Sequence, residues 1–138
     1  MTEFPNNKYN LEERTAKFGE SVIKFCAALK QDAISKPLLS QLIRSGTSVG
    51  ANYMEANGAS SRKDFRNKIA ICKKESQETK HWLRMIAVAV PDATNEVKTI
   101  WNECQELTMI FQKITNTLNE KMKIENSMKI GNCELKIV

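Results

Sequence analysis

The chain has 138 residues, 41% hydrophobic and 27% charged, with five glycines, three prolines and a formal net charge of +5. This describes one soluble globular domain and excludes a disordered chain or a loop-rich sandwich. The longest apolar run, Met85–Val90, has six residues, far short of a membrane span, and Met1–Asn6 lacks both the basic and the apolar region of an export signal, so a cytoplasmic chain with no membrane partner is expected.

The first element is predicted to begin at Asn10-Leu-Glu-Glu13, where Asn10 can cap a helix and Glu13 can reach back to it. Its stripe, Leu11, Thr15, Phe18, Val22, Phe25 and Leu29, alternates steps of four and three. The helix should stop near Lys30, and a linker should run over Gln31–Lys36. A second helix is expected from about Pro37, a residue suited to a first turn, with Leu38, Leu39, Leu42 and Ile43 as its apolar entry.

Gly46 and Gly50 follow in the string Ser45-Gly-Thr-Ser-Val-Gly-Ala-Asn52. Each costs a helix interior about 1 kcal/mol relative to alanine. Being four apart they share one face, which points to close approach by a neighbouring helix. A phosphate-binding loop would need a following Lys-Ser/Thr and a preceding strand, and the sequence has neither. Asn57-Gly58 reads as a helix end and Ser61-Arg-Lys-Asp64 as a second capping box.

The third stripe is Phe65, Ile69, Cys72, Ser76, Thr79, Leu83, Ile86 and Val90, an unbroken heptad seam. Pro91 should stop this helix, and Asp92 or Thr94 can cap the next. The fourth stripe, Val97, Ile100, Cys104, Leu107, Phe111, Ile114 and Leu118, should run to about Met122. The expected fold is therefore all-α, an antiparallel up-down four-helix bundle over residues 1–122. Residues 123–138 form a separate C-terminal tail in this reading: Cys133–Val138 alternates apolar and polar with period two, and a loose tail is favoured over a strand.

Little in the chain points to catalysis. Cys26, Cys72, Cys104 and Cys133 form no C-x-x-C pair, and the first three fall on or beside apolar stripes, where cysteine acts as a small hydrophobe. The single histidine, His81, completes a Glu78-x-x-His string, but a di-metal bundle needs that string on two helices and pointing inward. Thr15, Ser45, Asn52, Ser76 and Thr79 interrupt the seams and fit a hydrogen-bonded layer that fixes register. With no nucleophile–base pair, no catalytic residue, metal, cofactor or small-molecule substrate is assigned.

The charge is unevenly distributed. Residues 61–84 hold eight Lys/Arg against three Asp/Glu, while the segments on either side nearly balance. Arg66, Lys73 and Lys80 are spaced seven apart and share one edge; Lys74 and His81 lie beside it, and Arg62, Lys63 and Arg84 add charge at its ends. Two readings stand: a solvated face partly neutralised by Glu75 and Glu78, or a ridge for nucleic-acid phosphates, with Trp82 near enough to stack on a base or to fill the core margin. Ile71, Met85 and Val88 lie off the third seam, and Trp101 and Ile110 flank the fourth. Such extra apolar positions imply a second buried surface, most simply between subunits, or else scattered exposed residues.

The string Gln41-Leu-Ile-Arg-Ser-Gly-Thr-Ser-Val-Gly-Ala-Asn-Tyr-Met-Glu-Ala56 resembles the signature of a four-helix bundle family that includes the protein encoded in the intervening sequence of some bacterial 23S rRNA genes. Tyr9–Thr15, Lys63-Asp-Phe65, Lys68–Ile71 and Lys74–Leu83 match in the same order, so the resemblance covers roughly residues 9–122. It implies an antiparallel bundle that assembles as a homo-oligomer, often a ring of five. It also implies kinship with the accessory bundle protein of diversity-generating retroelements, a basic pentameric barrel that binds nucleic acid and a reverse transcriptase. Met54 and His81 depart from that pattern, which more often has a polar residue and a tyrosine there.

The function expected is a non-enzymatic homo-oligomer, with a pentamer favoured, that binds RNA or a nucleoprotein partner. Arg62, Lys63, Arg66, Lys73, Lys74, Lys80 and Arg84 would contact phosphates, and Ile71, Met85, Val88, Trp101 and Ile110 would lie between subunits. The alternative is a structural or protein-binding oligomer with no nucleic-acid role.

Overall fold

The structure, a computed structural model, describes residues 10–137, with side chains described from Asn10 to Lys129. Four helices follow one another: α1 (Leu11–Ala28), α2 (Ser35–Asn57), α3 (Arg62–Ala89) and α4 (Thr94–Ile137), with a short 3-10 turn at Pro91–Ala93 before the last. Among the described residues there is no strand.

The predicted seams form the core. Leu11, Thr15, Phe18, Val22 and Phe25 are buried on α1, Ile69 through Ile86 of the seam on α3, and Val97, Ile100, Cys104, Leu107 and Phe111 on α4. Leu39, Leu42, Ser45, Val49 and Ala56 give α2 the matching stripe. Each large apolar side chain removed from water contributes about 1.5–3 kcal/mol. Facing residues pair in opposite numerical order: Val22 lies against Gly46 and Thr15 against Gly50. Arg44 reaches Glu75 while Lys68 reaches Glu55, and Lys80 reaches Gln105 while Arg66 reaches Asn119. Chain-adjacent helices therefore run in opposite directions.

Gly46 and Gly50 of α2 sit against α1. A Cβ on Gly46 would lie 3.0 Å from Val22 Cγ2, and one on Gly50 would lie 3.3 Å from the Thr15 carbonyl oxygen. The polar seam residues mostly bond to their own helices: Thr15 donates to the Leu11 carbonyl at 2.7 Å, Ser76 to Cys72 at 2.8 Å and Asn52 to Ser48 at 2.8 Å. Among the side chains of these polar seam residues, one bond crosses between helices. The Ser45 and Thr79 hydroxyls meet at 3.0 Å, and Thr79 also donates to the Glu75 carbonyl. Ser45 in turn reaches the Leu42 carbonyl of its own helix at 3.4 Å, so the two hydroxyls link the α2 and α3 backbones.

α1 and α4 touch along little of their length. Where they meet, Arg14 and Glu103, 6% and 7% exposed, form a two-pronged ion pair with N···O distances of 2.9 and 2.7 Å. The Glu103 carboxylate raises the Arg14 pKa further, against the desolvation that opposes it. Removing one partner of such a pair strands the other and costs about 3–5 kcal/mol.

Several helix ends differ from expectation. Asn10 stands at the start of α1, but its side chain makes no capping bond. α2 begins at Ser35 rather than Pro37, because the Asp32 carboxylate accepts the N–H groups of Ile34 and Ser35 at 2.9 and 2.8 Å. These bonds to the charged form hold the Asp32 carboxyl below its usual pKa. Pro37 then falls in the first turn, where its missing N–H costs nothing. α2 ends at Asn57 as predicted, closed by tight bonds from Gly58 N to Glu55 O and Ala59 N to Ala56 O. Ser61 caps α3 by accepting the Asp64 N–H at 3.0 Å, while the Asp64 carboxylate takes the N–H of Ser60, not Ser61.

The largest correction concerns residues 123–138. The loose tail expected there is helical through Ile137, so α4 has 44 residues, about 66 Å at 1.5 Å per residue. No proline follows Pro91, and the only glycine after Gly58 is Gly131, so nothing in the sequence breaks the helix near Met122. Arg62 pairs with Glu125 and Arg66 donates to Asn119, which ties this stretch to the first turns of α3. Tyr9 and the side chains of Cys133–Val138 lie outside the described residues.

Candidate nucleic-acid interface

Arg66, Lys73 and Lys80 do share one edge of α3, but that edge faces α4 rather than open solvent. All three are half-buried along the line where the two helices meet. Arg66 donates to the Asn119 side-chain oxygen at 2.9 Å, and Lys80 donates to that of Gln105 at 2.5 Å. The Lys80 ammonium also stands 5.3 Å from the centre of the Trp101 ring. These partners are neutral, so they orient the cations without cancelling their charge.

Glu75 and Glu78, expected to offset the ridge, turn to the opposite flank of α3 and pair with Arg44 of α2. Glu103 and Glu106 pair with Arg14 on the α1 side. Glu125 takes Arg62, the one residue of the predicted basic set with a carboxylate partner, and Lys68 pairs with Glu55. Among the described residues, Lys63, Arg66, Lys73, Lys74, Lys80 and Arg84 form no ion pair. Lys63 and Lys74 are exposed on the outward face and Arg84 is exposed one turn beyond Lys80, so the basic residues form a band from the α3–α4 contact to that face rather than a single line.

Trp82 does not lie on this band. Its indole N–H donates to Glu78 at 3.1 Å, its body packs against the core cluster and its ring meets that of exposed His81 edge-on at 5.0 Å. The aromatic residue at the α3–α4 contact is Trp101, expected from the sequence to lie between subunits. The missed signal was its spacing: Trp101 and Gln105 are four apart, one turn of α4.

The five residues expected between subunits do not form one surface. Trp101 and Ile110 are nine apart on α4, two and a half turns, and so lie on opposite flanks. Ile110 packs against the core cluster. Ile71 and Val88 are exposed on α3, Val88 at 76%, and Met85 is half-buried between them in sequence. Met54, one of the two departures from the family pattern, is exposed on α2.

Among the described residues no cluster of three His, Cys, Asp or Glu side chains that could hold a metal ion occurs. Burial pushes the thiols up, to about 11 for Cys26 and about 12 for Cys72 and Cys104, away from nucleophilic use. Among the described residues no helix is long and apolar enough to cross a membrane.

Comparison with known proteins agrees with the fold. A crystal structure of a protein of unknown function from the S23 ribosomal protein family of Bacteroides thetaiotaomicron is 30% identical, with a TM-score of 0.67. The match covers 76% of this chain and 97% of that one. No curated protein matches. The family model described as 23S rRNA-intervening sequence protein matches residues 7–113, from the start of the bundle to the middle of α4. The chain, with its four helices, its paired glycines against α1 and the basic edge of α3, belongs to the 23S rRNA-intervening sequence protein family.

Proposed function

We propose that the protein is a cytoplasmic, non-enzymatic homo-oligomeric bundle that binds RNA, or a nucleoprotein through its RNA, by the basic band on α3. The observation that supports this most is the segregation of charge. Glu75, Glu78, Glu103 and Glu106 are all turned toward Arg44 or Arg14, which leaves Arg66 and Lys80 beside neutral amides and Lys73 without a carboxylate partner among the described residues. Cations aligned along a groove attract a chain of phosphates and read no sequence by themselves, so selectivity would come from RNA shape. Repetition of the band in an oligomer, a pentamer in the favoured version, would strengthen the field.

A second reading, an oligomer that binds only protein, is favoured by the exposure of Ile71 and Val88 on the same helix. The two readings separate in one preparation. The protein is purified without nuclease, and solution mass and the 260/280 nm absorbance ratio are recorded together. Co-purifying nucleic acid in a species several times the 15.7 kDa chain mass is the expected result. A nucleic-acid-free oligomer favours the protein-only reading, and a monomer at micromolar concentration removes the ring from both.

A further inference from the structure

Trp101 is out of place as a core residue. The buried stripe of α4 passes through Ile100 and Cys104, and Trp101 stands beside it, 37% exposed. It is absent from the set of side chains packed against the core, which does include Trp82. Its indole N–H donates to no described residue. What it does touch is the Lys80 ammonium, above the ring at 5.3 Å.

The surroundings of this ring are basic. Arg84 is one turn beyond Lys80 on α3 and exposed, and Lys98 is one turn before Trp101 on α4 and exposed. Neither has an ion-pair partner among the described residues. The acids nearest in sequence face away: Glu103 and Glu106 toward Arg14, Glu78 toward Arg44, and Glu96 into the cleft lined by Phe25 and Leu29 of α1. An accessible aromatic ring with a lysine over its face, with two further cations one helical turn away along α3 and α4 and with Gln105 one turn on, has the makings of a nucleotide position: a π face for the base and charges for the phosphates on either side.

We propose that Trp101 is a base-stacking platform and that the groove between α3 and α4 takes single-stranded RNA, an inference that rests on the nucleic-acid reading above. The base lies on the indole in the place the Lys80 ammonium now holds. The ammonium swings to the adjoining phosphate, and Arg84 and Lys98 hold the phosphates to either side. A-form duplex offers no exposed base face, so it engages the cations alone.

The test uses a fluorescein-labelled oligouridylate of twelve nucleotides and an RNA duplex of the same length, titrated into the full chain at low salt. Trp101→Ala should weaken the single-strand complex by about fivefold to a hundredfold, leave the duplex complex unchanged and leave the solution mass unchanged. Trp101→Phe should recover most of the loss. In a Trp82→Phe background the remaining indole should be quenched by oligouridylate and not by duplex. Equal affinity of Trp101→Ala and the native chain for oligouridylate overturns the stacking platform while leaving the cation band standing. So does a changed solution mass for Trp101→Ala, which would make the ring a subunit contact. Failure of the native chain to retain either probe overturns the nucleic-acid reading, and this one with it.

Discussion

Gly46 shows how much one missing methyl group decides. Replacing it with alanine gains about 1 kcal/mol of helix propensity. The new Cβ would meet Val22 at 3.0, 3.1 and 3.3 Å, and Val22 is fully buried and β-branched, with little freedom to turn aside. Overpacking of this kind costs about 1–3 kcal/mol, so Gly46→Ala should be net destabilising by about 1 kcal/mol, read as a lower urea midpoint. The same change at Gly50, where the nearest atom is 3.3 Å away, should be close to neutral. A second Val22→Ala change should relieve the Gly46→Ala clash. Spacing alone showed that the two glycines share a face; it held no information on which helix lies against them, because that depends on contacts distant in sequence.

Cys104 permits a pH prediction at the same scale. Its thiol is fully buried, its S–H donates to the Ser76 carbonyl at 3.0 Å, and burial lifts its pKa from 9.0 to about 12. The folded chain keeps the proton where the unfolded chain has released it. The thiol's contribution is therefore complete below about pH 9 and is lost as pH climbs toward 12. Cys104→Ala should cost about 1–2 kcal/mol near pH 7.5, and that penalty should shrink in urea titrations at pH 10.5. A penalty equal at both pH values would mean that the thiol's protonation does not contribute to stability.

Among the elements, the seams of α1, α3 and α4 were readable almost residue for residue, because alternating steps of three and four leave little choice of buried face. Helix ends were less legible. The start of α2 depends on Asp32, whose capping role is a local bond between a side chain and two backbone N–H groups rather than a periodicity. The end of α4 is not legible from periodicity: the two-residue alternation in Cys133–Val138 suits a strand or a tail, but a strand needs a partner and a helix needs only the absence of breakers. Shortening the chain to end at Met122 tests the extension. The bundle should remain folded, since the buried side chains end at Phe111. The helical circular-dichroism signal should fall in proportion to the 15 helical residues removed, 123–137. No loss of helical signal would show the extension to be unstructured in solution.

For the whole molecule, net charge and its concentration in residues 61–84 were visible in the sequence. Which acids cancel which bases was not, because Glu75 and Glu78 are near the ridge in sequence and on the far flank of α3 in space. The surface that results has a basic band along the α3–α4 side, while Glu75, Glu78, Glu103 and Glu106 are engaged with Arg44 and Arg14. Apolar exposure is dispersed by comparison: Trp101 and Ile110 occupy opposite flanks of one helix, and Ile71 and Val88 sit on another. Only the first of these properties predicts a polyanion partner.

The most direct measurement is the affinity of a short single-stranded RNA for the native chain and for the triple variant Arg66→Glu, Lys73→Glu, Lys80→Glu, across a series of salt concentrations. The native complex should weaken steeply with salt. The variant, which keeps its helical signal, should bind more than roughly tenfold more weakly at low salt and with a slope shallower by about 2, the expectation for three lost phosphate contacts on a single strand. Equal affinity and equal slope for the two proteins would contradict the proposed role of the band and leave it as a solvated face of α3.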